Sequence, residues 1–154
     1  MNLKLRPIEA AAEADAFAPL LERGVRESVQ AFQETDEDEG GWAAFAARHF
    51  ERPETLLVVA EAEGEPEPLA FCLTGPYEDP WSGRAWPLVL GLWVRPNIRH
   101  RGVARALVQE ASRLLAQRGV HLIAARTGHN DDAVLSMGER WGFVRAWEFL
   151  ERDG

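Results

Sequence analysis

The fold is decided by one stretch of the chain, Leu88-Val89-Leu90-Gly91-Leu92-Trp93-Val94-Arg95-Pro96-Asn97-Ile98-Arg99-His100-Arg101-Gly102-Val103-Ala104-Arg105. Its first seven residues are apolar without alternation, which predicts a strand covered on both faces. Gly91 inside that strand indicates a bulge or a close approach by another part of the backbone. From Gly102 onward the apolar residues recur at helical spacing, and Gly119 is expected to end the helix. The stretch therefore predicts a buried strand, a short turn and a helix.

Downstream of this helix, Val120-His121-Leu122-Ile123-Ala124-Ala125 predicts a second buried strand. The connection from Val94 to Val120 would then be a parallel crossover, which we expect to be right-handed. Asp131 or Asp132 can cap a further helix that runs to about Trp141. The segment from Phe143 to Glu151 predicts a last strand.

Upstream, Leu3 to Arg6 alternates like a half-buried first strand, and a helix is expected near Glu13 to Gln33, interrupted at Pro19 or Gly24. A short helix from Trp42 should end before Pro53. The runs 55–60 and 69–73 predict an antiparallel hairpin, and 75–84 a loop. The element order is β-α-(α)-β-β-β-α-β-α-β, a mixed α/β pattern without repeat or linker, so residues 1–154 are expected to form a single domain.

Length and hydropathy predict a soluble protein. The 154 residues are 46% hydrophobic, enough for one ordinary core. No run of about 18 apolar residues is present, and Pro7 interrupts the N-terminus before the apolar core of a signal peptide could form. We therefore expect a cytoplasmic protein that does not associate with a membrane.

The net charge of −8 argues against nucleic acid and against anionic membranes as partners. The distribution of charge is more informative than its sum. Five carboxylates lie within the segment Glu34 to Glu39, whereas four guanidiniums and no acid lie within Arg95 to Arg105. The chain thus offers one candidate anion site and one segment that would attract cations.

Cysteine and histidine give little sign of chemistry. The single cysteine, Cys72, lies in an apolar run and is expected to be a buried structural thiol. The four histidines fall in no spacing that is typical of metal ligands, so no metal site is expected.

The start of the predicted helix has the chemistry of a phosphate site. Backbone N–H groups in the first turn of a helix have no intrahelical partner and carry the positive end of the helix dipole. The small residues Gly102 and Ala104 would let phosphate oxygens approach these groups closely. A basic helix start that is merely solvated is the alternative.

Arg99-His100-Arg101-Gly102-Val103-Ala104 resembles the (Q/R)-x-x-G-x-(G/A) pyrophosphate loop of the GNAT acetyltransferases, and the strand before it ends in Val-x-Pro as theirs does. Their closing helix and Gly-Phe signature are similar to Asn130-Asp131-Asp132-Ala133 and Trp141-Gly142-Phe143. Together these motifs cover about Leu88 to Phe143. The order and spacing of the motifs make the resemblance specific, which the loop alone would not.

The resemblance implies a GNAT-like α/β fold, in which helices flank a mixed sheet with splayed parallel strands, and it implies acetyl-CoA as cosubstrate. By position, the backbone of Leu92 and Val94 would hold the acetyl carbonyl and the pantetheine. The Leu92 N–H would be the donor to the oxyanion. The loop from Arg99 through His100, Arg101, Gly102, Val103 and Ala104 to Arg105 would hold the pyrophosphate through its amides, and Asn130 or Asp131 would contact the cosubstrate.

The proton-transfer groups depart from the family. Many GNAT enzymes carry a tyrosine five residues before the Gly-Phe phenylalanine, but that position here is Gly138, beside Met137. The only tyrosine, Tyr77, falls in the predicted loop. The candidate bases that remain are carboxylates and histidines, none of them favoured singly: Glu78, Asp79, the segment Glu34 to Glu39, His49, His121 and His129.

These observations favour an N-acetyltransferase that moves an acetyl group directly to a primary amine, with a cationic small molecule or peptide as acceptor. A non-catalytic acyl-CoA-binding domain is the alternative. Among GNAT enzymes the pattern is nearest to the aminoglycoside 6′-N-acetyltransferases, although these commonly have an acid where this chain has Leu90. Only eleven residues follow Phe143, so a homodimer is expected, with Trp147 or Phe149 near its interface.

Overall fold

Four antiparallel strands, paired in chain order, form the sheet of this protein. The structure, a computed structural model, describes residues 2–30, 40–128 and 131–154, apart from the side chains of Val29 and Gln30. The strands are β1 (Lys4–Pro7), β2 (Leu56–Glu61), β3 (Ala70–Glu78) and β4 (Ala85–Val94). The predicted hairpin is confirmed, because β2 and β3 pair from Leu56 opposite Thr74 to Ala60 opposite Ala70.

Five α-helices accompany the sheet in the described part of the chain: α1 (Ala11–Asp15), α2 (Ala18–Gln30), α3 (Trp42–His49), α4 (Val103–Gln117) and α5 (Asp132–Arg140). The first helical region is broken as predicted, but the break lies between α1 and α2 and not at Pro19 or Gly24, which are both within α2. Pro19 then lies in the first turn of α2, where its missing N–H costs no intrahelical bond. None of these helices combines the length and the apolar character that crossing a lipid bilayer requires.

Each face of the sheet buries its own hydrophobic cluster. The first cluster joins one face to α4 and includes Val58, Cys72, Leu107 and Leu115. The second joins the opposite face to α1, α2 and α3, with Phe71 at its centre. The alternation of inward residues along β2 and β3 assigns side chains to the two clusters in turn, as strand geometry requires.

The loop predicted for 75–84 is shorter than expected, because β3 continues to Glu78 and β4 already begins at Ala85. Pro76, which lies in the segment predicted as a loop, is opposite Pro87 in the ladder. The Pro87 carbonyl accepts from Ala124 N at 2.9 Å, on the edge of β4 away from β3, and the missing N–H of Pro87 belongs to that same edge. Neither proline therefore removes a bond between β3 and β4, and proline is tolerated at such positions.

The strands predicted at 120–125 and 143–151 are not formed. Only Ala124 bridges to Leu88, in parallel, and Leu122 is 57% exposed. The segment after α4 thus runs parallel to β4, as the crossover predicts, but it pairs with β4 at one bridge only. The splayed parallel strands are not formed. A bulge in β4 takes the edge out of register beyond that bridge, and a neighbouring strand cannot continue along it.

The bulge and the close approach predicted from Gly91 are both confirmed. Leu73 pairs with Gly91 and Thr74 pairs with Val89, so Leu90 is the extra residue. A Cβ at Gly91 would lie 2.9 Å from Cγ2 of Val25 on α2. A Cβ at Gly24, on the same helix, would lie 2.5 Å from the Phe71 ring. Two glycines therefore let α2 rest directly on the bulged part of the sheet.

Gly24→Ala should lower the free energy of unfolding by about 1–3 kcal/mol, because the new methyl group would overlap a fully buried aromatic ring. This corresponds to a fall of about 3–10 °C in the melting temperature. Gly138→Ala on α5 is the matched control, since its Cβ would meet only Phe143 Cβ, at 3.8 Å. The control should be neutral or stabilising, by up to about 1 kcal/mol. Equal thermal stability of the two variants would contradict the packing.

Candidate functional site

The free edge of β4 carries backbone groups that the sheet does not use. Arg95 N donates to Leu69 O at the start of β3, so Arg95 and, by alternation, Trp93 direct their backbone groups toward β3. Leu92 and Val94 therefore direct theirs to the opposite edge. Before the bulge the odd-numbered residues face this edge instead, since Pro87 O and Val89 N are the groups that bond Ala124.

Both predicted backbone contacts, Leu92 and Val94, thus lie on the same open edge, beyond the single bridge at Leu88. Their partners are side chains. Leu92 N donates to Ser28 Oγ at 3.4 Å, and Val94 O accepts from Arg99 Nε at 2.7 Å. In the described ranges no strand lies beside this part of β4. The edge is therefore a place where an extended ligand could pair with the strand.

The turn after β4 opens α4 with two left-handed residues. After a 3₁₀ turn at Pro96–Ile98, His100 has φ 65° and Gly102 has φ 79°. Gly102 is the N-cap of α4 and supplies no side-chain cap. The first intrahelical bond runs from Ala106 N to Gly102 O, so the amides of Val103, Ala104 and Arg105 have no partner within the helix.

Space is open above these amides. A Cβ built on Gly102 meets no heavy atom within 4 Å. Successive N–H groups in a turn with left-handed residues form concave anion sites, to which the dipole of α4 adds. The turn therefore offers unpaired N–H donors and open space to an anion such as a phosphate, and pyrophosphate binding by Arg99 to Arg105 stays a prediction.

The four arginines expected at the anion site are divided between two roles. Arg95 pairs with Glu65 at 3.3 Å, and Arg99 lies 3.8 Å from Glu27 on α2 while it bonds Val94 O. Arg101 and Arg105 are exposed, and the described residues include no ion-pair partner for either. The positive charge left over at the helix start therefore comes from Arg101 and Arg105.

Asp131 is the N-cap of α5, where its Oδ1 accepts from Val134 N at 3.1 Å. The predicted choice between Asp131 and Asp132 as cap is thereby settled in favour of Asp131. Asn130 and His129 lie outside the described residues, as does the acidic segment Glu34 to Glu39.

The candidate bases are scattered. Asp79 is held in the turn between β3 and β4, where hydrogen bonds from Ser82 and from the Trp81 amide lower the pKa of its carboxyl. Glu78 is exposed at the end of β3, and His121 is exposed beyond α4. Burial lowers the pKa of His49, so this ring is neutral at pH 7, and its Nδ1 is buried without a hydrogen-bond partner. Of the described candidate bases, none forms a hydrogen bond with the Leu92 amide, whose partner is Ser28 Oγ.

Tyr77 lies in β3 and not in a loop. Its ring contacts three aromatic rings, with centroid distances of 5.5 Å to Trp86, 5.5 Å to Trp147 and 6.5 Å to Phe149. This cluster is the only described contact of the apolar C-terminal segment with aromatic residues of the sheet. Tyr77 thus anchors the segment after α5.

Ser28 is the site residue that no motif reveals. It follows Leu21 and Val25 at three- and four-residue spacing, so it is a polar residue on the apolar face of α2. That mismatch is its one sequence signal. Cys72 is fully buried in β3, where burial raises the pKa of its thiol to about 12. No three His, Cys, Asp or Glu side chains of the described ranges come together as metal ligands.

Comparison with known proteins gives a consistent result. Residues 21–143 match the model of the acetyltransferase (GNAT) family. An aminoglycoside acetyltransferase from an uncultured soil metagenomic sample is 20% identical, with a TM-score of 0.67 over 100% of this chain and 99% of that one. The aminoglycoside acetyltransferase AAC(6')-Iy, in complex with the bisubstrate analogue CoA-S-monomethyl-acetylneamine, is 18% identical, with a TM-score of 0.69 over the same shares.

A third similar structure has a different kind of acceptor in its name. It is the ribosomal-protein-alanine N-acetyltransferase of Brucella melitensis biovar Abortus 2308, which is 18% identical, with a TM-score of 0.61 over 99% of this chain and 100% of that one. At these identities the likeness establishes the fold and leaves the acceptor open.

Cys72 should not react with a thiol reagent in the folded protein at pH 8, because a buried thiol with a raised pKa exposes almost no thiolate. In denaturant the same thiol should react fully. The measurement is the release of nitrothiobenzoate from Ellman's reagent, with and without guanidinium chloride. Rapid reaction of the native protein would contradict the burial of Cys72.

Proposed function

The chain belongs to the acetyltransferase (GNAT) family and is an acyltransferase, and from that premise we propose that it moves the acetyl group of acetyl-CoA directly to a primary amine in a ternary complex. The observation that carries the proposal is that two groups of backbone N–H donors, neither of them used by the sheet or by a helix, lie close together along the chain. The free edge of β4 presents the Leu92 amide, and eight residues after β4 the first turn of α4 begins, with Gly102 at its start. One extended acyl-CoA would use both.

In this proposal the pyrophosphate binds the amides from His100 to Arg105, with Arg101 and Arg105 adding charge. The pantetheine pairs with Val94, whose carbonyl is released when Arg99 turns from it toward the phosphates. Leu92 N–H binds the acetyl carbonyl. Asn130 or Asp131 contacts the cosubstrate from the start of α5. The fit rests on the open space above Gly102, which a side chain would fill.

The chain's own groups account for each change of charge. The Leu92 amide stabilises the negative charge that develops on the carbonyl oxygen when the amine attacks, since an oriented N–H donor acts there without reorganisation. As the C–N bond forms and the C–S bond breaks, the sulfur leaves as thiolate. A thiol has a pKa near 8.5, so the leaving group needs no acid, and Gly138 offers none.

The acceptor must lose a proton, because a primary ammonium has a pKa of about 10 and only the neutral amine attacks. Asp79 is a poor base, since its hydrogen bonds in the turn lower its pKa. Solvent water is the proposed proton acceptor. This mechanism predicts a rate that rises with pH as more of the amine becomes neutral.

The acceptor is proposed to be cationic. Helix α2 ends at Gln30, two residues beyond the Ser28 contact with Leu92, and the acidic segment Glu34 to Glu39 follows this helix in the sequence. Clustered carboxylates there would raise the local concentration of a cationic amine. Aminoglycoside 6′-N-acetylation remains the sub-alternative, although the bulge residue Leu90 is apolar.

We place the protein in the cytoplasm, where acetyl-CoA is available.

We also propose a homodimer. Four apolar residues of the C-terminal segment are exposed: Val144 at 83%, Trp147 at 52%, Phe149 at 68% and Leu150 at 94%. A second copy of this segment is the proposed cover, since several exposed large apolar side chains in one short segment are typical of an interaction surface.

Gly102→Glu should abolish coenzyme A binding, because the new side chain would occupy the space above the first turn of α4 and place a carboxylate against the phosphates. Calorimetric titration with coenzyme A measures this directly. The wild type, supplied with acetyl-CoA and a panel of primary amines, should also release free thiol. The variant should not.

Gly119→Glu is the matched control for Gly102→Glu. Both glycines have a left-handed φ, 79° and 80°, and open space at the Cβ, so both variants carry the same backbone strain of about 1–2 kcal/mol. Only the change at Gly102 should affect coenzyme A. Unchanged affinity of folded Gly102→Glu would overturn the proposed cosubstrate site. Binding without thiol release by the wild type would mark a non-catalytic acyl-CoA-binding protein.

Phe149→Glu should convert the proposed dimer into a monomer, because a charge would be buried in the apolar contact. Light scattering at tens of micromolar should give twice the chain mass of 17.2 kDa for the wild type and the chain mass for the variant. Trp81→Glu, which changes an aromatic residue that is 96% exposed in the turn between β3 and β4, should stay dimeric. A monomeric wild type would disprove the dimer.

A further inference from the structure

In the described part of the chain, Ser28 supplies the hydroxyl that contacts the Leu92 amide. The hydroxyl lies at the junction of α2 and the free edge of β4, where its oxygen accepts from Leu92 N at 3.4 Å and its proton goes to Gly24 O at 2.9 Å. The two residues are 64 positions apart in sequence, so the contact is tertiary. It is made at the backbone donor to which the proposed function assigns the acetyl carbonyl.

We infer that Ser28 is a catalytic residue of the acyl-transfer site, in which its hydroxyl is a second hydrogen-bond donor to the carbonyl oxygen of the thioester. The inference rests on the proposed function. In the free protein the Ser28 oxygen occupies the position of an acceptor for Leu92 N–H. When the thioester carbonyl oxygen binds Leu92 N–H in place of the Ser28 oxygen, it lies next to the displaced Ser28 hydroxyl, within hydrogen-bond distance.

The hydroxyl can turn to this oxygen at little cost. Gly24 O is four residues before Ser28 in α2 and accepts the Ser28 backbone N–H in the helical pattern, so it remains satisfied when the hydroxyl leaves. Rotation about the Cα–Cβ bond would move the Ser28 oxygen away from the Leu92 N–H and redirect its O–H from Gly24 O to the edge of β4. The carbonyl oxygen then receives two donors, the Leu92 amide and the Ser28 hydroxyl.

Ser28 changes no covalent bond in this assignment. The amine nitrogen forms the bond to the carbonyl carbon, the π pair moves to the oxygen, and the C–S bond breaks when that pair returns. Ser28 keeps its proton throughout, and the amine proton leaves to water. The hydroxyl acts by donating a stronger hydrogen bond as the oxygen gains charge, which lowers the barrier and leaves ground-state binding unchanged.

The geometry of α2 holds Ser28 in this position. Gly24 and Val25 contact Phe71 and the bulge of β4, and Ser28 follows Gly24 by one helical turn on the same face. The approach that the two glycines allow therefore determines how far the hydroxyl lies from Leu92.

Kinetics of Ser28→Ala, with Ser28→Thr and Ser112→Ala as controls, test the assignment. Ser28→Ala should lower kcat by about 100-fold, the order found when one oxyanion donor is lost, with KM for acetyl-CoA and coenzyme A affinity unchanged. Ser28→Thr keeps a hydroxyl and should recover most of kcat. Ser112 is a half-buried serine on α4, and its replacement by alanine should leave kcat as in the wild type.

Nuclear magnetic resonance of the ¹⁵N-labelled protein gives a second readout that needs no acceptor. In the free protein the Leu92 amide proton should move upfield in Ser28→Ala, because its acceptor is gone. Saturating acetyl-CoA should return the resonance downfield in both proteins, whereas coenzyme A, which lacks the carbonyl, should not. A Leu92 resonance that is unaffected by Ser28→Ala would overturn the contact.

The outcomes separate this inference from the proposed function. If the wild type turns over and folded Ser28→Ala keeps kcat within about threefold, Ser28 is no donor and the acetyltransferase assignment stands. If Ser28→Ala loses kcat and Ser28→Thr fails to recover it, the residue acts through packing and the inference is wrong. A wild type that binds no acetyl-CoA overturns both.

Discussion

The contact between α2 and the bulged strand is the constraint on which the site depends. An ordinary residue at Gly24 or Gly91 would place a Cβ within 3 Å of Phe71 or Val25, so the helix could not rest on the sheet at this distance. Because it does, Ser28 reaches Leu92 and Glu27 comes within 3.8 Å of Arg99. Packing in the second hydrophobic cluster is thus transmitted to polar groups at the strand edge.

The extra residue Leu90 has an effect that pairing alone does not show. On one side of it the outward backbone groups are those of Pro87 and Val89, and on the other side they are those of Leu92 and Val94. A neighbouring strand that fits the first set cannot fit the second. The bulge therefore ends the parallel contact at Leu88 and frees the Leu92 amide from the sheet. The open edge follows from one inserted residue in β4.

Features that a single residue controls could be predicted from the sequence. Gly91 indicated a bulge or a close approach, Gly119 the end of α4, and Asp131 or Asp132 the cap of α5, because each satisfies a local backbone requirement. Features that require a distant partner could not. The apolar run at 120–125 has strand propensity, but a strand forms only beside a continuous edge. The Ser28 contact with Leu92 joins residues 64 positions apart and leaves no local pattern beyond a serine on an apolar face.

The side chains that cap the free edge of β4 have a consequence for solubility. An unpaired edge in the middle of a hydrophobic sheet invites intermolecular β-pairing, and natural proteins block such edges with charged side chains or by covering them. Here Ser28 occupies the Leu92 amide and Arg99 occupies the Val94 carbonyl, with the guanidinium charge directly at the strand. The same two contacts that lie at the proposed acyl site therefore block the edge through which β4 of one molecule would pair with another.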